Sequence, residues 1–234
     1  MKSTVEEIRA RFDKDVERFS NLETGQTATM DSALALDLIQ QAALATNPQA
    51  RSILDIGCGA GNFTLKILPA IPGLDCTLID LSRPMLDRAV SRLTQAGVRK
   101  ISPIQGDIRE IELGREQFDI IVAAAVLHHL RDESEWAAVF SKLHTCLKPG
   151  GSLWVWDFIA HDIPAIQSVM RNRWGDYLTA LKGEAYRDQV FAYTDREDTP
   201  RSLLFQCDLL RDCGFRSVEV LHKVTCFAAF CGLK

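Results

Sequence analysis

Three glycines stand at every second position in SILDIGCGAGNFT (residues 52–64): Gly57, Gly59 and Gly61 follow directly on a short apolar run. Glycine at a strand-to-helix turn lets the backbone approach a ligand closely, because a Cβ there would collide with the ligand or forbid the dihedral angles of the turn. The spacing is G-x-G-x-G. The third glycine of a dinucleotide-binding turn would fall at position 62, which is Asn62, and no G-x-x-x-x-G-K-[ST] loop occurs in the chain. A dinucleotide is therefore disfavoured and the triphosphate-cradling loop is excluded. Asp80 stands 23 residues beyond Gly57, at the end of the next apolar run. There a carboxylate can accept hydrogen bonds from both hydroxyls of a ribose. Asp107, in GDI (106–108), follows a third run, where its carboxylate and an adjacent backbone N–H can meet the amino edge of an adenine. Taken alone, Asp80 reads equally as a helix cap and Asp107 as a turn aspartate. Their order and strand-end spacing together point to an adenosine-containing ligand without a pyrophosphate.

The elements that must position these residues follow from the hydrophobic pattern. From residue 50 onward, short β-branched runs alternate with segments of helical period, the pattern of a parallel sheet covered by helices. Strands are predicted at 52–56, 76–80, 101–105, 118–125 and 152–158. One helix is expected over about 61–69. A second starts near Pro84, with Met85, Leu86, Ala89, Val90 and Leu93 on one face. A third is capped by Asp132 with Glu135, carries Trp136, Val139, Phe140, Leu143 and Leu147, and stops at LKPGG (147–151). The alternation breaks from 158 to 200, where Trp174, Tyr177, Tyr186, Phe191 and Tyr193 mark an inserted helical cover; DREDTP (195–200) reads as a solvated loop. A helix over 201–213 closed by Gly214 precedes two strands, 217–222 and 225–231, paired as a hairpin across Lys223 and Val224. The expected fold is α/β: a seven-stranded, mostly parallel sheet with a C-terminal antiparallel hairpin and helices on both faces. Residues 1–49 form an N-terminal helical cap on a domain running from 50 to 234. Phe12, Val16 and Phe19 share one helical face there, so the cap either covers the sheet edge or closes over the ligand.

Composition narrows the partners. A formal charge of −4 gives no general attraction to a phosphate backbone, so nucleic acid is disfavoured. No apolar run approaches the roughly 20 residues of a membrane helix, and the charged N-terminus has no signal-type apolar region. Seven cysteines without a C-x-x-C pair suit reduced thiols, and a cytoplasmic location is expected. His222 and Cys226 are expected to pack around the hairpin turn, and no metal is assigned.

Taken in order, LDIGCGAG (54–61), LIDLS (78–82) with Met85, GDI (106–108), VLHHL (126–130), LKPGG (147–151) and LLRDCGF (209–215) resemble the class I S-adenosylmethionine-dependent methyltransferases, over residues 50–234. The resemblance implies S-adenosyl-L-methionine as cofactor, S-adenosyl-L-homocysteine as product and a small-molecule acceptor. It implies that Gly57, Cys58 and Gly59 line the methionine end, with Asp55 also at the cofactor, that Asp80 and Leu81 hold the ribose, and that Asp107 and Ile108 hold the adenine. Met85 packs beneath the adenosine, and Ala124 borders the site from the fourth strand. RFDKDVERFS (11–20) and FAAFCGLK (227–234) also resemble the ends of carboxy-S-adenosylmethionine synthases. Those enzymes carry a serine where this chain has Gly59, an asparagine where it has Ala124, and an arginine in the insert for which Arg187 is the candidate. A catalytically silent cofactor-binding module is a third reading.

Methyl transfer is an in-line displacement at a carbon already activated by a sulfonium, so the protein mainly aligns a nucleophile and excludes water. A general base is needed only for a nucleophile that arrives protonated. His128 and His129 enter the helix after the fourth strand, near where the methyl group is presented, and are the candidate catalytic residues; packing or capping is the competing role. AAAVLHHL (123–130) lacks the Asn-Pro-Pro-aromatic motif of enzymes that methylate amino groups of nucleobases and proteins. His161, Trp174, Tyr177 and Tyr186 either touch the acceptor or form the insert's own core. The acceptor atom and the oligomeric state, a homodimer included, are left open.

Overall fold

Seven runs of strand-forming residues become β1 (Ser52–Ile56), β2 (Asp75–Asp80), β3 (Ile101–Gln105), β4 (Phe118–Ala124), β5 (Leu147–Phe158), β6 (Ser217–Val224) and β7 (Phe227–Leu233). They form one sheet in the order β3-β2-β1-β4-β5-β7-β6. The computed structural model describes residues 2–21 and 27–234. Strands β1 to β5 pair in parallel, and β7 runs antiparallel to both β5 and β6. The predicted seven-stranded α/β architecture is therefore the observed one.

The helices are α1 (Val5–Phe12), α2 (Val16–Ser20), α3 (Ser32–Thr46), α4 (Asn62–Ile67), α5 (Arg83–Gln95), α6 (Glu133–Cys146), α7 (Pro164–Lys182), α8 (Glu184–Glu197) and α9 (Leu203–Asp212). The central strands are buried on both faces, as continuous apolar runs require. On one face Ile53, Leu78 and Trp154 pack against α3, α4 and α5, with Trp174, Leu178 and Val190 of α7 and α8 in the same cluster. On the other, Leu54, Ile121 and Val155 pack against Trp136, Phe140 and Leu143 of α6 and Leu210 of α9. All seven cysteines are free, and among the described residues no helix is long and apolar enough to cross a membrane.

Local chemistry explains most element ends. Ser82 caps α5 by accepting from the Met85 N–H, which frees Asp80 from the capping role. Asp132 caps α6 through the Glu135 N–H. Gly214, at φ +100°, ends α9 with Phe215 N–H donating to the Leu210 carbonyl and Gly214 N–H to that of Arg211. Two expectations shift. The hairpin turn is Thr225–Cys226, two residues beyond the expected Lys223–Val224: β6 runs on to Val224, which pairs with Phe227, with a bulge between Val220 and His222. His222 thus lies within β6, bonded to Asp31 at 2.9 Å, and Cys226 is buried. Strand β5 begins at Leu147 rather than 152: Leu147 pairs with Phe118 ahead of an irregularity, and pairing resumes at Ser152 with Ile120. Leu147 therefore leaves the helical stripe.

The 158–200 segment is a helical hairpin. Trp174 is its anchor, with its ring 5.2 Å from Phe158 and 5.4 Å from Phe227 and its Nε1 donating to the Ala28 carbonyl at 2.8 Å. Phe140, fully buried between α6 and the sheet, tests the opposite layer. Phe140→Ala is expected to lower unfolding free energy by about 3–5 kcal/mol in urea denaturation. A midpoint equal to wild type would mean that α6 is not part of the cooperative core.

Candidate active site

In an open parallel sheet, ligands bind outside the carboxyl ends of the strands, where the strand order reverses. Here that point lies between β1 and β4, and the loop after β1 carries the glycines. Gly57, Gly59 and Gly61 adopt φ of +61°, +51° and +81°. A Cβ on Gly57 would sit 2.5 Å from Val126 Cγ2 and one on Gly61 2.9 Å from Leu93 Cδ1, whereas one on Gly59 would meet nothing within 4 Å. Two of the glycines thus answer to packing. Gly59 faces open space.

That space is an open cleft with about 730 Å³ of empty volume, solvent at its mouth included. Asp55, Gly57, Cys58, Gly59, Asp80, Leu81, Met85 and Ala124 all line it. A second cavity continues past Gly57, Asp80 and Leu81 to Asp107, Ile108 and Arg109. Every residue expected at the cofactor therefore lies along one continuous trough. The Asp80 carboxylate accepts from the Gly59 N–H and the Ser82 N–H, each at 2.8 Å. Burial raises its pKa to about 6 against the pull of those two donors. Asp55 accepts from the Thr64 hydroxyl at 2.7 Å, and burial lifts it to about 7. Burial also pushes the Cys58 thiol well above its usual range, so Cys58 is no nucleophile. Its N–H is taken by the Ile79 carbonyl at 3.0 Å.

Asp107 is more committed than its sequence suggested. Arg109 donates to both its oxygens, and also to Glu135. Burial pushes Asp107 up, but the Arg109 bonds outweigh it and leave the pKa lowered.

A third cavity, of about 720 Å³, adjoins the first through Phe12, Phe19, Ala125 and His129. Its wall is aromatic: Trp156, Phe158, Trp174, Tyr193 and Phe227. His128 and His129 occupy a single 3-10 turn, Leu127–His129, at its mouth. The His128 Nδ1 is hydrogen-bonded to the Asp157 carboxylate, and its N–H donates to the same group at 3.1 Å. Its Nε2 lies 3.7 Å from Asp198 Oδ1. Burial opposes charge on His128, yet Asp157 and Asp198 overcome it and raise the pKa to about 9. His129 goes the other way: burial, then the neighbouring His128, push it well below the ordinary value, with the Glu197 carbonyl opposing weakly.

Several participants were invisible in the sequence. Asn62, which argued against a dinucleotide, donates to the Phe19 carbonyl at 2.8 Å and accepts from Arg92 at 2.6 Å, tying α2 to the glycine loop. Arg11 holds Glu197 through both carboxylate oxygens. DREDTP is not a solvated loop, since Glu197 and Asp198 are buried. Asp157, closing an apolar strand, was the one available signal. In contrast, Arg187 pairs with Asp188 and lines none of these cavities, and neither do His161, Tyr177 and Tyr186. Helix α1 borders all three through Ile8 and Phe12, and α2 borders the first and third through Phe19.

Comparison with known proteins agrees with this geometry. Residues 53–151 match the family model described as a methyltransferase domain. An uncharacterized methyltransferase of Mycobacterium tuberculosis is 35% identical over 107 residues, 46% of this chain and 50% of that protein. A malonyl-[acyl-carrier protein] O-methyltransferase of Priestia megaterium is 34% identical over 128 residues, 54% of this chain and 43% of the relative. The matches thus span about half the length of these curated relatives. An O-methyltransferase family protein from Burkholderia thailandensis shares the fold at TM-score 0.63 and 17% identity, over 94% of this chain and 62% of that one. The class I S-adenosylmethionine-dependent methyltransferases are thus what this chain resembles, through the methyltransferase-domain match over residues 53–151 and through the fold.

The two kinds of glycine separate experimentally. Gly57→Ala is expected to cost about 2 kcal/mol or more in denaturant unfolding, from left-handed strain plus overlap with Val126. Gly59→Ala should cost only the strain, about 1 kcal/mol, while weakening S-adenosylhomocysteine binding in calorimetry. Equal stability losses with equal affinities would show that Gly59 does not face the ligand.

Proposed function

We propose that this chain transfers the methyl group of S-adenosylmethionine to a small acceptor held in the aromatic cavity. The observation that carries the reading is the shared wall: Phe12, Phe19, Ala125 and His129 border both cavities, so donor and acceptor meet without crossing solvent. When bound, the cofactor supplies a methyl carbon on a sulfonium; the acceptor–carbon bond forms as the carbon–sulfur bond breaks, and the electron pair goes to sulfur. The chain's part is to bind, orient and exclude water.

Asp80 accepts the ribose hydroxyls on lone pairs left over from its two backbone donors, with Leu81 beside it. Asp107 and Ile108 border the adenine, and Met85 packs against the adenosine. The open space at Gly59 admits the methionine end. His129, at the opening, holds the acceptor's polar atom, while Asp157 fixes the ring of His128 behind it. The surrounding aromatic rings favour a largely apolar or aromatic acceptor and keep water from the sulfonium. Arg187 lies outside both cavities, and Gly59 and Ala124 replace the residues of the carboxy-S-adenosylmethionine synthases, so methyl transfer is the better supported chemistry.

The test incubates the full chain with S-adenosylmethionine and fractionated small-molecule extracts, with S-adenosylhomocysteine measured by mass spectrometry. Acceptor-dependent accumulation is expected. Binding without accumulation in any fraction would instead make the chain a silent module. Because an ionised carboxylate is the better acceptor, S-adenosylhomocysteine affinity should fall as pH drops through about 6, where Asp80 protonates. Asp80→Asn should lose about tenfold to a hundredfold in affinity and lose that pH dependence. Unchanged affinity in Asp80→Asn would remove the ribose assignment.

A further inference from the structure

Beside the opening between the two cavities, three side chains converge that methyl transfer by proximity alone does not explain. His128 Nε2 and His129 Nδ1 lie 3.7 and 3.4 Å from the same atom, Asp198 Oδ1. One ligand atom from each of the three residues falls within 4.8 Å of the others. None of these approaches has hydrogen-bond geometry, and both ring nitrogens of His129 are buried without a well-formed hydrogen bond among the described residues, the Glu197 carbonyl acting on the ring only weakly. Behind His128, the buried Asp157 carboxylate engages Nδ1 and so turns Nε2 toward the cluster. A carboxylate on the far nitrogen of an imidazole is the usual outer support of a metal-ligating histidine. The nearest guanidiniums do not fill the space. Arg11 is bound to Glu197, and Arg131 to the Glu197 and Ser3 carbonyls and the Thr199 hydroxyl.

From this geometry we infer that His128, His129 and Asp198 form a divalent metal site facing the acceptor cavity. Two imidazoles and one carboxylate suit a first-row ion such as zinc, manganese or iron better than magnesium or calcium, and three protein ligands leave coordination positions open. Resting on the methyl-transfer reading, the site deepens it by selecting an oxygen acceptor. His128 Nε2 releases its proton to solvent as the ion binds. The acceptor's hydroxyl takes an open position and loses its proton to solvent at a lowered pKa. The oxygen then forms its bond to the methyl carbon as the carbon–sulfur bond breaks toward sulfur. No oxidant or reductant is needed. His128 and His129, read from the sequence as candidate bases, act here as ligands that make the acceptor its own nucleophile.

The test needs no knowledge of the acceptor. The full chain is stripped with a chelator, titrated with zinc or cobalt(II), desalted and assayed for metal per chain. One tightly held zinc per chain is expected, with magnesium binding far weaker. His129→Ala and Asp198→Asn should each weaken zinc binding at least tenfold while still binding S-adenosylhomocysteine, which reports an intact fold; His161→Gln should match wild type. The cobalt(II) spectrum of the unmodified chain reads the donor set independently of any variant. Ligand-field bands without thiolate charge transfer are expected, and a thiolate band would place the ion at a cysteine and overturn the assignment. Substoichiometric zinc, or zinc held equally well by the folded variants, would also overturn it. Stoichiometric zinc with no methyl transfer to any acceptor would leave the site standing and remove the methyl-transfer reading alone. Methyl transfer by a chain that holds no zinc would do the reverse.

Discussion

The Asp80 carboxylate accepts from Gly59 N–H and Ser82 N–H at once, and the geometry of the whole trough hangs on that pair of bonds. Parallel pairing sets Ile56 beside Ile79, so the chain leaves β1 and β2 at the same level and Asp80 meets the glycine loop one residue later. A left-handed loop has no ladder to define it, and an external acceptor is what fixes its donors in space. The same carboxylate positions Ser82, whose hydroxyl starts α5 and thereby sets Met85 against the cavity. Burying this carboxylate is unfavourable, as its raised pKa records, and the two backbone donors offset part of that cost. A group kept charged against its surroundings, with lone pairs to spare, is suited to recognise a diol.

The cover over this trough is held differently. Apolar side chains of α1 and α2, Ile8, Phe12 and Phe19, form cavity wall rather than closed core. What ties these helices down is polar: Asn62 to the Phe19 carbonyl, Arg88 to Glu17 and Ser20, Arg11 to Glu197, Arg131 to the Ser3 carbonyl. Arg88–Glu17 is an exposed ion pair worth about 0.2–1 kcal/mol, whereas Arg11 reaches the buried Glu197, so the α2 end of the cover opens at lower free energy than its α1 end or the sheet beneath. Ligand entry requires that difference. Helices α3 and α6, whose buried faces belong to the two core clusters, have no comparable freedom.

How much of this was legible depended on the range of the interaction. Strands β1, β2 and β3 and the ligand-facing residues at their ends were readable because strand, turn and helix follow one another locally, and Gly57, Asp80 and Asp107 each close a strand. Turn chemistry failed at the hairpin because the polar Lys223 resembled a turn while serving an edge strand. DREDTP failed for a tertiary reason. Its charge count suits solvent, but Glu197 is buried by Arg11 from 186 residues away, and Asp198 by the histidine turn. Asn62 was read only for the glycine it was not. Its bond to Phe19 spans 43 residues and leaves no trace in spacing.

The histidine turn shows why cofactor and acceptor sites differ in legibility. The His128 carbonyl accepts from the Thr199 N–H at 2.7 Å, its N–H donates to Asp157 of β5, and its ring faces Asp198 at the end of α8. One residue of the shared sheet framework thus registers the last turn of the insert against the cavity mouth. Trp174 and Tyr193, in the wall of the aromatic cavity, sit on α7 and α8 and do not line the cavity that holds the glycine loop and Asp80. The insert can therefore change its aromatic lining without disturbing the trough, provided the attachment at Asp198 and Thr199 is kept. Motifs tied to the sheet are legible in spacing, whereas the lining of the aromatic cavity is written in packing between helices whose partners are set only in three dimensions.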